Sequence, residues 1–374
     1  MSFLEQLQHY PEAEIKSRIE SASAAEIDRI LTKPRLSPED LCSLISPQVN
    51  DAQLELMAQR AHRLTSQRFG RTILMYAPIY LSNECHNGCK YCGFSADNHL
   101  LRKTLSRPEI EREAQLLHEK GFRHLLLLTG EAPESAGIDY LESAIKVIKP
   151  YSGSLSIEVF PMDENGYRRM VSAGVDGLTL YQETYRADLY RQLHPYGPKS
   201  DFRFRIDAPE RAGRAGFRRI GVGALLGLSE GLADVFYTGL HALYLARKFW
   251  RTQVTISFPR LRPAEGGFQP RTVISDRQLT QFICAMRLFI PDAGLVLSTR
   301  ESTSLRNNLL PLGITQMSAG SSTAPGGYGD QDHEAEQFSI NDERSPQELE
   351  LYLKARGYEA VWKDWDPAFL NQVG

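Results

Sequence analysis

The run Leu125-Leu126-Leu127-Leu128-Thr129-Gly130 most constrains what this chain can fold into. A strand apolar on both faces must be covered on both, as in a parallel sheet flanked by helices. The same texture recurs at residues 72–77, 154–160, 177–181, 219–224, 253–258, 294–298 and 314–318, which read as further strands. Segments 106–121, 164–173, 209–215, 231–250, 276–289 and 301–309 alternate with them and read as helices. Eight strands separated by helices over roughly 250 residues predict an α/β fold, a (β/α)8 TIM-type barrel. A partial barrel of six strands with a separate terminal piece is the alternative.

Three segments follow: an N-terminal helical extension (1–70), the barrel (71–330) and a short C-terminal helical tail (331–374). Ser37-Pro38-Glu39-Asp40 opens one helix of the extension with a capping hydroxyl, an early proline and acids in the first turn. A Gly/Ser-rich loop at 319–329 and an acidic stretch at 330–336 lead into the tail, which holds a helix near 346–355.

Net charge is only −3, which gives no support for a nucleic-acid or membrane-surface role. Met1-Ser2-Phe3-Leu4-Glu5 has no basic region before an apolar run, and no apolar stretch approaches the ~20 residues that span a bilayer. Five cysteines in 374 residues are too sparse for a disulfide scaffold, so a reducing, cytoplasmic setting is expected.

Three of those cysteines, Cys85, Cys89 and Cys92, form a C-x3-C-x2-C loop directly after the first strand. Clustered thiolates bind soft metals. A structural zinc site is closed by four protein ligands, whereas a four-iron cluster held by three keeps one iron open. Zinc completed by His86 or His99 is the competing reading, as a hydrolase or as a non-catalytic interaction module; unpaired core thiols are another. Cys42 and Cys284 read as core residues.

Barrel enzymes gather their sites at the carboxyl ends of the strands, and several ends here carry polar groups. Ser156 and Glu158 share one face of a strand, and a carboxylate there is costly unless it is paired or faces a polar cavity. Gln182 and Glu183 follow the next strand, and Arg205 precedes a helix. Gly130 and Glu131 end the 125–129 strand with a backbone carbonyl and a carboxylate, both hydrogen-bond acceptors. Arg300, beside Ser318 and Ser321, makes a receptor for the carboxylate of an amino-acid substrate. Gly221-x-Gly223 is a weak phosphate-loop signal, better read as a close-packed strand.

The cysteine spacing, with Tyr91 before the third cysteine, resembles the cluster loop of the radical S-adenosylmethionine enzymes. Thr129-Gly130-Glu131 resembles their Gly-Gly-Glu element, with threonine for the first glycine. The segments Tyr181-Gln182-Glu183-Thr184-Tyr185, Asp207-Ala208-Pro209-Glu210-Arg211-Ala212-Gly213 and Gln316-Met317-Ser318-Ala319-Gly320-Ser321 narrow the resemblance to the 2-iminoacetate synthase family, tyrosine lyases of thiamine-thiazole biosynthesis. The related hydrogenase-maturation tyrosine lyase has a C-terminal extension with further cysteines, and this chain has none after Cys284. Biotin synthase needs second-cluster ligands that Cys42 and Cys284 do not supply.

The resemblance implies a [4Fe-4S] cluster on Cys85, Cys89 and Cys92. It implies S-adenosyl-L-methionine held by Tyr91, Gly130, Glu131, Ser156, Glu158, Gln182, Glu183 and Arg205. An electron from reduced flavodoxin or ferredoxin would give methionine and a 5′-deoxyadenosyl radical, and L-tyrosine would be cleaved at Cα–Cβ to 2-iminoacetate (dehydroglycine) and p-cresol. A thiazole synthase subunit is the implied partner. Another aromatic-amino-acid radical lyase is the alternative, and no residue is assigned to proton transfer.

Overall fold

The computed structural model describes residues 2–329 and 336–364. Of the acidic stretch 330–336, residues 330–335 lie outside the described residues, as does the tail beyond 364. Eight parallel strands form a closed ring: β1 (Thr72–Ser82), β2 (His124–Thr129), β3 (Ser154–Glu158), β4 (Gly177–Thr179), β5 (Arg219–Gly223), β6 (Gln253–Ser257), β7 (Gly294–Leu297) and β8 (Gln316–Ser318). Closure rests on β1, whose residues 77–80 pair with 125–128 of β2 while 74–76 pair with 316–318 of β8. The barrel is therefore complete, not a six-stranded arc.

Helices Arg107–Glu119, Glu164–Ala173, Ala208–Ala215, Ala233–Lys248, Asp276–Phe289 and Thr303–Leu309 lie where the amphipathic pattern put them. Others escaped it, among them Ile138–Ile148 after β2, and Ala187–Leu193 and Phe202–Ile206 in the polar loop after β4. The first starts at Gly137 without a capping side chain. The other two are too short for a 3.6-residue period to show.

The N-terminal extension packs helices 38–44 and 51–69 against the helix 276–289. There the buried Gln281 amide donates to the carbonyls of Leu44 and Ser46, both at 2.8 Å. Cys42 and Cys284 are buried and unpaired, and burial pushes both thiols up to about 12, as inert core residues require.

The tail holds the expected helix, Pro346–Ala355, and adds a ninth strand, β9 (Glu359–Val361), parallel to residues 72–74 of β1. Asp364 then reaches His124 at 2.6 Å and Arg219 at 3.3 Å, the first residues of β2 and β5, at the amino end of the barrel. Three residues carry too little periodicity to be read as a strand beforehand. Among the described residues no helix is long and apolar enough to cross a membrane.

A buried ion pair fixes the end of β8. Arg306 donates to Asp342 and to the carbonyl of Ser318, and Arg344 also donates to Asp342, at 2.6 Å. Burial alone would raise the Asp342 carboxyl, but Arg344 and Arg306 outweigh it and hold it down at about 2. A depressed carboxyl pKa contributes stability above the unfolded value of ~3.9 and loses it as pH falls through the folded value. Asp342→Asn is expected to cost ~3–5 kcal/mol at pH 7, because two guanidinium groups then face an amide. Denaturant unfolding of the apoprotein checks this: the gap to wild type should shrink as pH falls from about 4 toward 2. A constant gap would show that the carboxylate charge is not the stabilising element.

Candidate active site

The cysteine loop leaves the carboxyl end of β1, and Cys85, Cys89 and Cys92 line one cavity with Gly130, Glu131, Glu158, Glu183, Lys199 and Arg205. Polar side chains hold the loop in shape. Arg102 donates to the carbonyls of Asn83, Phe94, Ser95 and Asn98 at 2.6–3.3 Å. Asn87 donates from one amide nitrogen to Glu131 Oε2 at 2.8 Å and to Cys85 Sγ at 3.6 Å, and its oxygen accepts the Lys199 backbone N–H at 2.8 Å.

These residues fit an iron–sulfur cluster better than a single zinc ion. His86 is half exposed and sits 3.9 Å from Glu134, and His99 is exposed, so neither completes a tetrahedral site. Three thiols spread around one cavity suit a polynuclear cluster, and burial raises the free Cys89 and Cys92 thiols, so ligation would displace their protons. The buried hydroxyl of Thr129 has no partner beside this cavity. Gly130 lets the backbone close over the loop, since a Cβ there would lie 2.1 Å from the Glu84 carbonyl oxygen.

Charge is concentrated on the next strand end. Among the described residues Glu183 alone combines a side chain with a left-handed backbone, φ +70°, a strain of about 1–3 kcal/mol that tends to persist where function requires it. Its carboxylate accepts from Lys199 Nζ at 2.7 Å and lies 3.5 Å from Arg205. Burial would raise it, but those two cations outweigh burial and keep it ionised. Arg205 also donates to the Tyr181 carbonyl at 3.0 and 2.7 Å. Glu158 has no such cation in contact among the described residues; burial and the charge of Glu183 push it up to about 7.

A second cavity opens beside the first, lined by Arg300, Ser318, Ser321, Thr323, Ser257 and Phe338. Arg300 is half-buried, and its guanidinium carbon lies over the Phe338 ring, 3.3 Å from its centre. Its guanidinium makes no hydrogen bond among the described residues, and the Ser321 hydroxyl is buried without a partner. An unsatisfied cation and an unsatisfied hydroxyl in one cavity make a ready receptor for a carboxylate. Tyr80, Leu128, Glu158, Tyr181 and Gln337 line both cavities, forming a common wall.

Of the residues expected to bind a cofactor, Gly130, Glu131, Glu158, Glu183 and Arg205 do line the thiol cavity. Ser156 faces the barrel interior below it, against β4. Gln182 is buried away from it, with its amide nitrogen unpartnered. Tyr91 packs behind the loop among Leu189, Leu193 and Leu225, its hydroxyl bonded to His194 Nε2 at 2.9 Å. Gly221 lies in β5 against Thr255 and Thr179, a close-packed strand position. Arg102, Lys199 and Gln337 were not foreseen, whereas Asn87 in the cysteine loop and Tyr181 in the segment 181–185 lie in stretches the sequence had already singled out.

Residues 79–236 match the model of the Radical SAM superfamily, and 257–359 match the Biotin and Thiamin Synthesis associated domain. A barrel with three thiols at its carboxyl mouth is thereby a radical S-adenosylmethionine enzyme. The chain is 46% identical over 354 residues to a 2-iminoacetate synthase of Salmonella typhimurium and 45% identical to that of Escherichia coli, each covering 94% of both chains. Its fold is similar to that of HydG, a maturase of the [FeFe]-hydrogenase, with TM-score 0.89 and 30% identity over 96% of this chain and 83% of the other. The chain belongs to the 2-iminoacetate synthase family.

Glu158 provides a test of the site's electrostatics. A carboxyl raised in the folded state destabilises the fold above its unfolded pKa, and the cost grows until pH passes the folded value. Glu158→Gln is therefore expected to be more stable than wild type at pH 8 and equal to it near pH 4, by denaturant unfolding of the apoprotein. Equal stability at pH 8 would mean that Glu158 is solvated or paired.

Proposed function

We propose that the chain is a radical lyase that cleaves the Cα–Cβ bond of L-tyrosine to 2-iminoacetate and p-cresol. The observation that carries this reading is the common wall between the thiol cavity and the Arg300 cavity. It offers two adjoining chambers, one suited to a cluster and its nucleoside ligand, the other to an amino acid. Cys85, Cys89 and Cys92 would hold a [4Fe-4S] cluster, with Gly130, Glu131, Glu183 and Arg205 receiving S-adenosyl-L-methionine. When bound, that pair supplies one-electron chemistry that generates a carbon radical able to take a hydrogen from substrate.

The chain's own residues position and isolate. Arg300 takes the substrate carboxylate, with Ser318 and Ser321 beside it. Tyr80, Leu128 and Tyr181 wall off the chamber, which limits access of water to reactive species. Glu158, poised near pH 7 on the common wall, can hold or release a proton there. A low-potential flavodoxin or ferredoxin suits the electron demand. Because an imine hydrolyses readily, direct transfer to a thiazole synthase subunit suits the product, and the cytoplasm suits the free thiols.

Product analysis tests the proposal. Anaerobically reconstituted enzyme given S-adenosyl-L-methionine, reductant and tyrosine is expected to form p-cresol; stoichiometric zinc uptake without iron would defeat it. Arg300→Ala should lower kcat/KM for tyrosine roughly 10- to 100-fold while leaving S-adenosyl-L-methionine binding unchanged, the loss expected for a charged hydrogen-bonded pair. Loss of both would show that Arg300 serves the cofactor instead.

A further inference from the structure

Gln337 and Phe338 follow residues 330–335 and lie across the mouth of the barrel, and each touches a different part of the site. Gln337 donates from its amide nitrogen to Cys92 Sγ at 3.6 Å. Its amide oxygen accepts the Tyr80 hydroxyl at 2.8 Å. The phenol is the donor in that bond, which fixes the amide with its nitrogen toward the sulfur. The neighbouring Phe338 ring covers the face of the Arg300 guanidinium. Thr323 holds the strap from below: its carbonyl accepts the Gln337 N–H at 3.0 Å and its hydroxyl donates to the Phe338 carbonyl at 2.9 Å. Gly93, next to Cys92, permits this approach, because a Cβ there would lie 2.3 Å from the Gln337 carbonyl oxygen.

We propose that residues 337–338 are a positioning strap that couples the substrate carboxylate site to the cluster through the hydrogen bond from Gln337 to Cys92. The proposal rests on the functional reading above. An N–H donor on a thiolate ligand stabilises the more negative, reduced cluster and raises its potential. A carboxylate on Arg300 fixes the guanidinium plane, hence the Phe338 ring stacked on it, and hence the amide one residue away. Binding at the two sites is then linked, and linkage is reciprocal: tyrosine raises the cluster's potential, and reduction tightens tyrosine by the same factor.

The test is an EPR-monitored redox titration of the reconstituted holoenzyme with S-adenosyl-L-methionine, with and without tyrosine. Gln337→Leu is expected to hold a full complement of iron and to shift to a more negative potential. Gln337→Glu, similar in volume but without the N–H donor, should shift the same way and stands in if the leucine variant loses iron. Saturating tyrosine should move the wild-type potential upward. Phe338→Leu should keep the tyrosine-free potential and lose that response. An unchanged potential in both Gln337 variants, no tyrosine response in wild type, or a full response in Phe338→Leu would each overturn the strap. Wild-type p-cresol formation in the same preparations separates the two readings. If p-cresol forms while the Gln337 variants keep the wild-type potential, the strap fails alone. If none forms, the substrate assignment fails, and the Gln337 comparison still decides the hydrogen bond to Cys92.

Discussion

The long strand β1 is the constraint on which the rest of the structure depends. It is the one strand that pairs on both sides of the ring seam and with β9 as well. Its amino end therefore sets the floor of the barrel and its carboxyl end launches the cysteine loop. Tyr80 and the thiols are consequently fixed by the same hydrogen bonds that close the sheet. A loop rich in backbone polar groups is stable at a barrel mouth only when those groups are satisfied, and Arg102 with Asn87 supplies the partners.

Electrostatics then divide the mouth into two unlike chambers. Glu183, Lys199 and Arg205 form a compact charge cluster on the thiol side, whereas Arg300 on the other side has no carboxylate in contact among the described residues. Glu158 stands between them with no cation in contact among the described residues, and burial with the charge of Glu183 holds its proton near neutrality. An ion-paired chamber suits a polar, zwitterionic cofactor. A chamber where Arg300 makes no ion pair among the described residues, with aromatic walls, suits an aromatic amino acid.

Much of this was legible in the residues. The apolar runs located every barrel strand, because burial on both faces leaves an unbroken hydrophobic signature such as 125–128. The cysteine spacing located the thiol cavity, because side chains on one loop lie close in sequence as well as in space. What could not be read was whatever depends on distant segments meeting. Lys199 reaches Glu183 from a polar loop, and Gln337 reaches Cys92 across 245 residues of sequence separation. Ser156 shows the converse limit: alternation on a short strand says which residues share a face, but the twist of the barrel decides which of them reach the mouth.

The central claim is that two ligands meet across the wall formed by Tyr80, Glu158, Tyr181 and Gln337. An anaerobic crystal structure of the reconstituted enzyme with S-adenosyl-L-methionine and L-tyrosine tests it most directly. The account predicts the cofactor against Gly130, Glu131 and Glu183, and the tyrosine carboxylate on Arg300. Tyrosine bound instead at Arg205 among the cysteines, or a cofactor seated on Arg300, would contradict it.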